Sequence, residues 1–206
     1  QRGSGFLRIV DDPGVGNAGD GAGDGADVGA IEVGQAGALY DFGDAPEGLV
    51  VDGVARTYPT RLSSDGARHQ VVAGGPRLGA VAPDPEADAF PVANATGDDL
   101  VGFDDEDGLD ATSIVLTPGA VISGVILEHD GGDGGAFLSV WIDLNLDGDW
   151  DDPGDQVLAD VAVPSGMSAT SLESVLVPAA TPMGTTFLRA RISSVEGLSS
   201  RGAAID

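Results

Sequence analysis

Apolar and polar positions alternate in short runs through the second half of the chain, and no run keeps a helical period for ten residues. Six runs read as strands: Ser113–Thr117, Ala120–Glu128, Ala136–Asp143, Gln156–Val163, Ser171–Val177 and Thr185–Ser193. Turn-forming stretches separate them, TPGA, DGGDGG, DGDWDDPGD, VPSG and ATPMG. Short alternating runs spaced in this way predict an all-β fold, an antiparallel β-sandwich of jelly-roll or immunoglobulin-like kind. In Thr186–Ser193 the side chains of Leu188, Ala190 and Ile192 share one face, and Phe187, Arg189 and Arg191 share the other. The first face is expected to enter the core, and the second to hold its guanidinium groups over acidic loops. Gly or Pro interrupts every candidate helix.

The texture changes along the chain. Residues 1–34 are rich in Gly and Asp around two apolar runs, Phe6–Val10 and Val28–Val33, and read as a strand-and-turn appendage. Residues 35–111 scatter acids, Gly and Pro among brief apolar patches, which predicts an irregular segment packed on the sandwich. Residues 112–206 are the sandwich itself, with a loop-bearing hairpin. No window of 18 apolar residues occurs, so membrane insertion is not expected. Gln1 opens no signal-peptide pattern, so the chain reads as a mature or excised piece of a longer polypeptide.

Charge narrows the partners. Acids outnumber bases 34 to 9, the net charge is −25, and every base is an Arg. A chain so acidic is a poor match for nucleic acid or an anionic membrane, both of which call for basic surfaces. Without cysteine there are no disulfides, thiolate nucleophiles or cysteine-ligated metals. The acids are 27 Asp against 7 Glu. A generically salt-adapted surface would use both freely. Asp embedded in Gly-rich turns suits calcium loops, where short carboxylates wrap a hard cation and Gly permits tight bends. A solvated acidic surface is the alternative.

The sharpest motif runs from Asp143 to Asp155, DLNLDGDWDDPGD. Oxygen-bearing side chains at relative positions 1, 3 and 5, then Gly at 6, match the opening of an EF-hand-like loop. The expected ligands are the side chains of Asp143, Asn145 and Asp147, a carbonyl at Asp149, and a later carboxylate, Asp155 in preference to Asp151. Gly154 stands at position 12 where a bidentate Glu is usual, and the flanks are strand-like. This predicts a calcium-bound β-hairpin loop, with a solvated Asp-rich turn as the alternative. A second cluster, Asp98, Asp99, Asp104, Asp105, Glu106 and Asp107, reads as another calcium site or as an exposed loop. Asp41 and Asp44 are possible contributors, or an Asx turn before Pro46. Asp20, Asp24 and Asp27 lack the nine-residue period of Gly/Asp calcium repeats.

Catalysis has no sequence signature. There is no GxSxG elbow, and His69 and His129 lie apart in contexts that suit local hydrogen bonding. With so many acids, a glycosidase-like carboxylate pair carries no information. Trp141, in an alternating strand, reads as core. Trp150, beside the acidic loop, reads as its cap, with a sugar-stacking platform as the alternative for both tryptophans.

WIDLNLDGDWDDPGDQV, followed by FLRARIS and a terminal GAAID, resembles the GEVED domain of bacterial secreted and surface proteins. DFGDAP at 41–46, YPT at 58–60, GARH at 66–69, LG at 78–79, PDPEAD at 83–88 and GDD…DDEDG at 97–108 resemble, in order, the block that often precedes it. The resemblance covers residues 40–206. It implies a secreted, calcium-stabilised, non-catalytic structural or adhesion module, extracellular or on the cell surface. A calcium-containing carbohydrate-binding module, with carbohydrate as its partner, is the main alternative, and part of a secreted hydrolase the lesser one. Residues 1–34 resemble the closing coil of a secreted right-handed parallel β-helix. The family's Gly-Glu-Val-Glu-Asp tag and its strand would follow GAAID. Such a strand is expected from the continuing chain, a neighbouring domain or a second copy by strand addition, with Phe6–Val10 as the best internal donor.

Overall fold

A computed structural model describes residues 39–97, 108–109 and 113–204. The appendage 1–34 with its Phe6–Val10 run, Asp20, Asp24 and Asp27, and the acidic cluster Asp98, Asp99, Asp104, Asp105, Glu106 and Asp107 all lie outside the described residues. Among the described residues the fold is all-β. In chain order the strands are β1 (Tyr40–Phe42), β2 (Glu47–Val51), β3 (Val54–Thr57), β4 (Arg68–Gln70), β5 (Arg77–Leu78), β6 (Ile114–Leu116), β7 (Val121–Ile122) and β8 (Val125–Asp130). There follow β9 (Ala136–Ile142), β10 (Gln156–Val163), β11 (Met167–Leu172), β12 (Val175–Leu176), β13 (Gly184–Thr186), β14 (Leu188–Ser193) and β15 (Ala203–Ala204). A single 3-10 turn, Leu62–Ser64, is the helical content there.

All six expected runs form strands, but three of them break. Ala120–Glu128 divides into β7 and β8 at Gly124, whose φ of 76° is incompatible with a continuous strand. Ser171–Val177 and Thr185–Ser193 divide likewise, into β11 with β12 and β13 with β14. Before residue 111 the described residues include five strands, β1 to β5. A two-residue turn at Asp52–Gly53, with φ of 51° and 78°, folds β2 onto β3. Positive φ at both central residues is the hairpin geometry that an Asp-Gly pair favours.

The sandwich sets the sheet β10-β9-β14 against the sheet β11-β8-β5 and the pairs β12-β7 and β13-β6. Leu138, Val140 and Ile142 of β9 meet Leu116, Leu127, Leu172 and Val177 in the main core, with Ile192 of β14 alongside. β9 is the central strand, and its other face is buried too. Trp141 joins Ala45, Tyr58, Trp150 and Phe187 in a second, aromatic core. Two sheets draw on both parts of the chain: β5 adds to β8, and β15 runs parallel to β4 beside β1.

One expectation needs correction here. Arg189 and Arg191 do not lie open over acidic loops, and Arg189 meets the Asp143–Asp155 loop through the ring of Trp150. Both are buried, and their guanidinium groups donate chiefly to backbone carbonyls of the segments that cover this face. Alternation told which side they take, but not that the side would be roofed.

His129 is fully buried on β8, its ring nitrogens against Thr170 Oγ1 at 3.0 Å and Ser168 Oγ at 3.2 Å. Burial lowers its pKa below the usual histidine value. A depressed value in the folded state means that its contribution is present above the unfolded pKa, about 6.5, and is lost as pH falls through the folded one. We expect urea midpoints at pH 7.5 and 5 to show a smaller acid-side loss in His129→Gln than in the parent. Equal slopes would count against this role for His129.

Candidate metal centre

β9 ends at Ile142 and β10 begins at Gln156, and a hydrogen bond from Ile142 N to Asp155 O at 2.8 Å closes the base of the loop between them. Asp143, the first loop residue, points inward and is fully buried. Its Oδ1 accepts from Leu146 N at 2.6 Å, and its Oδ2 from Gly148 N at 3.0 Å and the Tyr58 hydroxyl at 2.7 Å. Arg56 Nη1 lies 3.8 Å away, also fully buried. A buried carboxylate is tolerable with this many donors and a neighbouring cation. Next to it, burial and the Asp143 charge push the Tyr58 hydroxyl pKa well up, so it stays a neutral donor.

The tight curl requires two left-handed residues, Leu146 at φ 64° and Gly148 at φ 96°. A Cβ on Gly148 would also lie 3.1 Å from Thr57 N of β3, which itself donates to Gly148 O at 3.3 Å. Further along, each side-chain oxygen accepts from the N–H two residues on. Asp147 N bonds Asn145 Oδ1 at 3.2 Å, Asp149 N bonds Asp147 Oδ1 at 3.3 Å, and Asp151 N bonds Asp149 Oδ1 at 2.9 Å. These successive Asx bonds orient alternate side chains along the loop.

The result is a convergence of oxygens. Asp147, Asp149 and Asp152 each bring a carboxylate oxygen within 4.8 Å of the others. Asn145 Nδ2 donates to Asp147 Oδ2 at 2.9 Å and to Asp152 Oδ2 at 2.6 Å. Asp155 is 2% exposed; its Oδ1 accepts from Leu144 N at 3.1 Å, and its buried Oδ2 has no hydrogen-bond partner. Burial, with the Asp143 and Asp152 charges adding to it, raises the Asp155 pKa to about 6. Burial and the neighbouring Asp147 charge likewise raise Asp149. Crowded carboxylates and a buried, unpartnered oxygen fit a hard cation, and a donor set of oxygen alone is the set such ions take.

The expected ligands separate into different roles. Asp147 and Asp149 stand in the oxygen group, Asp149 by its carboxylate, and Asn145 bridges it. Asp143 is the internal peg of the loop. Asp155 presents the orphaned oxygen. Asp151 is paired with Arg201 and accepts from Ser200 Oγ at 3.2 Å. Sequence reasoning missed Asp152, one residue from the Asp151 it considered. It also missed Arg56 and Tyr58, the latter visible only as part of the YPT tag. Arg56 further donates to Leu146 O at 3.4 Å and Thr185 O at 2.6 Å, tying β3 and the strand before Phe187 to the loop.

Trp150 caps the loop from below. Its ring stacks on Tyr58 at 4.2 Å, the Arg189 guanidinium lies 4.2 Å from its centroid, and its Nε1 donates to Phe187 O at 3.3 Å. Trp141 and Trp150 are both buried, so neither offers a face to a sugar. Away from the loop, a cavity of about 630 Å³ lies beside β14, where His69 accepts a hydrogen bond from Arg191 Nε at 3.1 Å.

Residues 137–205 match the family model of the GEVED domain. The match takes in the loop, both buried arginines of β14 and β15, and begins after the block that supplies Arg56 and Tyr58. No curated protein and no solved structure matches the chain.

Proposed function

We propose that this chain, a GEVED domain with the acidic block before it, is a calcium-stabilised, non-catalytic structural or adhesion module of a secreted or surface protein. The observation that carries the reading is the convergence of carboxylate oxygens from Asp147, Asp149 and Asp152, in the same loop as the buried, unpartnered Oδ2 of Asp155. A bound cation would complete that oxygen set and offset the mutual repulsion of its carboxylates. Asp147, Asp149, Asp152 and Asp155 would hold it, with Asn145 beside them. Calcium is favoured over magnesium because a flexible loop of many oxygens suits six to eight ligands, whereas magnesium demands a small octahedron. Among the described residues no helix is long and apolar enough to cross a membrane.

Calorimetric titration of the 206-residue chain with CaCl2 and MgCl2 tests the reading. We expect calcium to bind more tightly, and Asp152→Asn, a change at an exposed residue, to remove one equivalent of binding. Calcium saturation at 100 times Kd should add about 2.7 kcal/mol of stability. If the parent and Asp152→Asn give identical heats while NaCl alone stabilises both, the loop is a solvated acidic surface and the proposal fails.

A further inference from the structure

Residues 199–204 form a strap across the buried-arginine face. Arg191 donates to the carbonyls of Ser199 at 2.7 Å, Arg201 at 2.8 Å and Gly202 at 2.9 Å, and Arg189 to Ser200 O at 2.8 Å. Gly202 N donates to Asp65 O at 2.8 Å, Arg68 N to Gly202 O at 3.1 Å, and β15 then runs parallel to β4. The arginine anchors come from the buried face of β14. One further anchor comes from the acidic loop: Asp151 pairs with Arg201 and accepts from Ser200 Oγ.

We infer that cation occupancy of the loop latches this strap, by fixing Asp151 as the fastening point for Arg201 and Ser200. The inference rests on the cation reading proposed above. Asp151 lies in sequence between Asp149 and Asp152, two of the converging residues, and its own carboxylate is taken by Arg201 and Ser200. The side chains of Arg201 and Asp151 are 38% and 50% exposed. A pair so exposed contributes little when both partners must be ordered to make it. A cation gripping the residues on either side of Asp151 removes that ordering cost at one end. It also competes with Arg201 for the loop, since Arg201 bears electrostatically on Asp149 as well. With the carboxylates of Asp149 and Asp152 engaged, Asp151 is left as the partner of Arg201. Calcium would thereby set how firmly the chain beyond Ser199 is held against β4.

Amide hydrogen exchange of the full chain in CaCl2 and in EDTA tests this, read in the peptides that contain Arg68 and Gly202. Calcium should slow their exchange by up to about fivefold beyond any change in β8, the most that an exposed ion pair supplies. Arg201→Ala removes no cation ligand, so it should keep the calorimetric binding of calcium and lose the additional slowing. Unchanged or faster exchange in a protein that binds calcium overturns the latch and leaves the cation reading standing. Slowing that persists in Arg201→Ala overturns the latch too, as a global stabilisation. Absence of calcium binding overturns both readings.

Discussion

Asp155→Asn should be more stable than the parent without calcium and less stable than it with calcium. In EDTA the parent carries a buried carboxylate whose Oδ2 has no partner, next to the Asp143 carboxylate. The amide removes the charge, keeps an oxygen for Leu144 N, and turns a donor toward acidic neighbours. We therefore expect the variant to be more stable than the parent without calcium, by about 2 kcal/mol, or roughly 4–8 °C in Tm for a domain of this size. Linkage gives the same sign. A carboxylate whose folded pKa is raised contributes stability below its unfolded pKa and loses it as pH rises through about 6. The ion-free parent is thus penalised at neutral pH and the variant is not. With saturating calcium the order should reverse if Asp155 is the ligand proposed above, because the variant would lack its carboxylate. Thermal melts of both proteins in EDTA and in CaCl2 at pH 7.5 give the four values needed. A variant less stable than the parent under both conditions would show that Asp155 serves packing alone.

Arg191→Met should be among the most destabilising single changes in the described residues. Arg191 is 1% exposed and gathers the carbonyls of Ser199, Arg201, Gly202 and, at 3.2 Å, Arg68. Methionine fills much of the volume but donates nothing, leaving acceptors buried without partners. Each such loss is worth about 1–3 kcal/mol, so a combined cost of about 3–5 kcal/mol is expected even after the strap relaxes. Arg191→Lys should recover only part of it, because an ammonium cannot reproduce the planar fork that spans several carbonyls. Urea unfolding measures both, with exposed Arg61→Met as a control expected within about 0.5 kcal/mol of the parent. A loss below 1 kcal/mol in Arg191→Met would mean that water replaces the guanidinium and the strap is not built on it.

Local pattern determined much of this protein. The strand Gln156–Val163 was legible to the residue, because alternation and turn chemistry act over a few neighbours. The Asp143–Gly148 curl was legible for the same reason, since Asx bonds and a left-handed Gly are properties of adjacent residues. So was the β character of the described residues. What the local pattern could not decide was where equivalent side chains go once distant segments arrive. Asp151 and Asp152 are indistinguishable in sequence, and Ser200 and Arg201 claim the first from the far end of the chain. Asp143 is a ligand candidate by spacing, but only the tertiary fold shows that Arg56 and Tyr58, brought in by a hairpin far upstream, meet its carboxylate. Arg189 and Arg191 were assigned to the correct face, but the residues that roof it come from Pro59, Thr60, Arg68 and the strap. Hydrophobic period and turn chemistry decide which way a side chain points. Only the tertiary fold decides what it meets there, because burial and partners are supplied by residues that no local window contains.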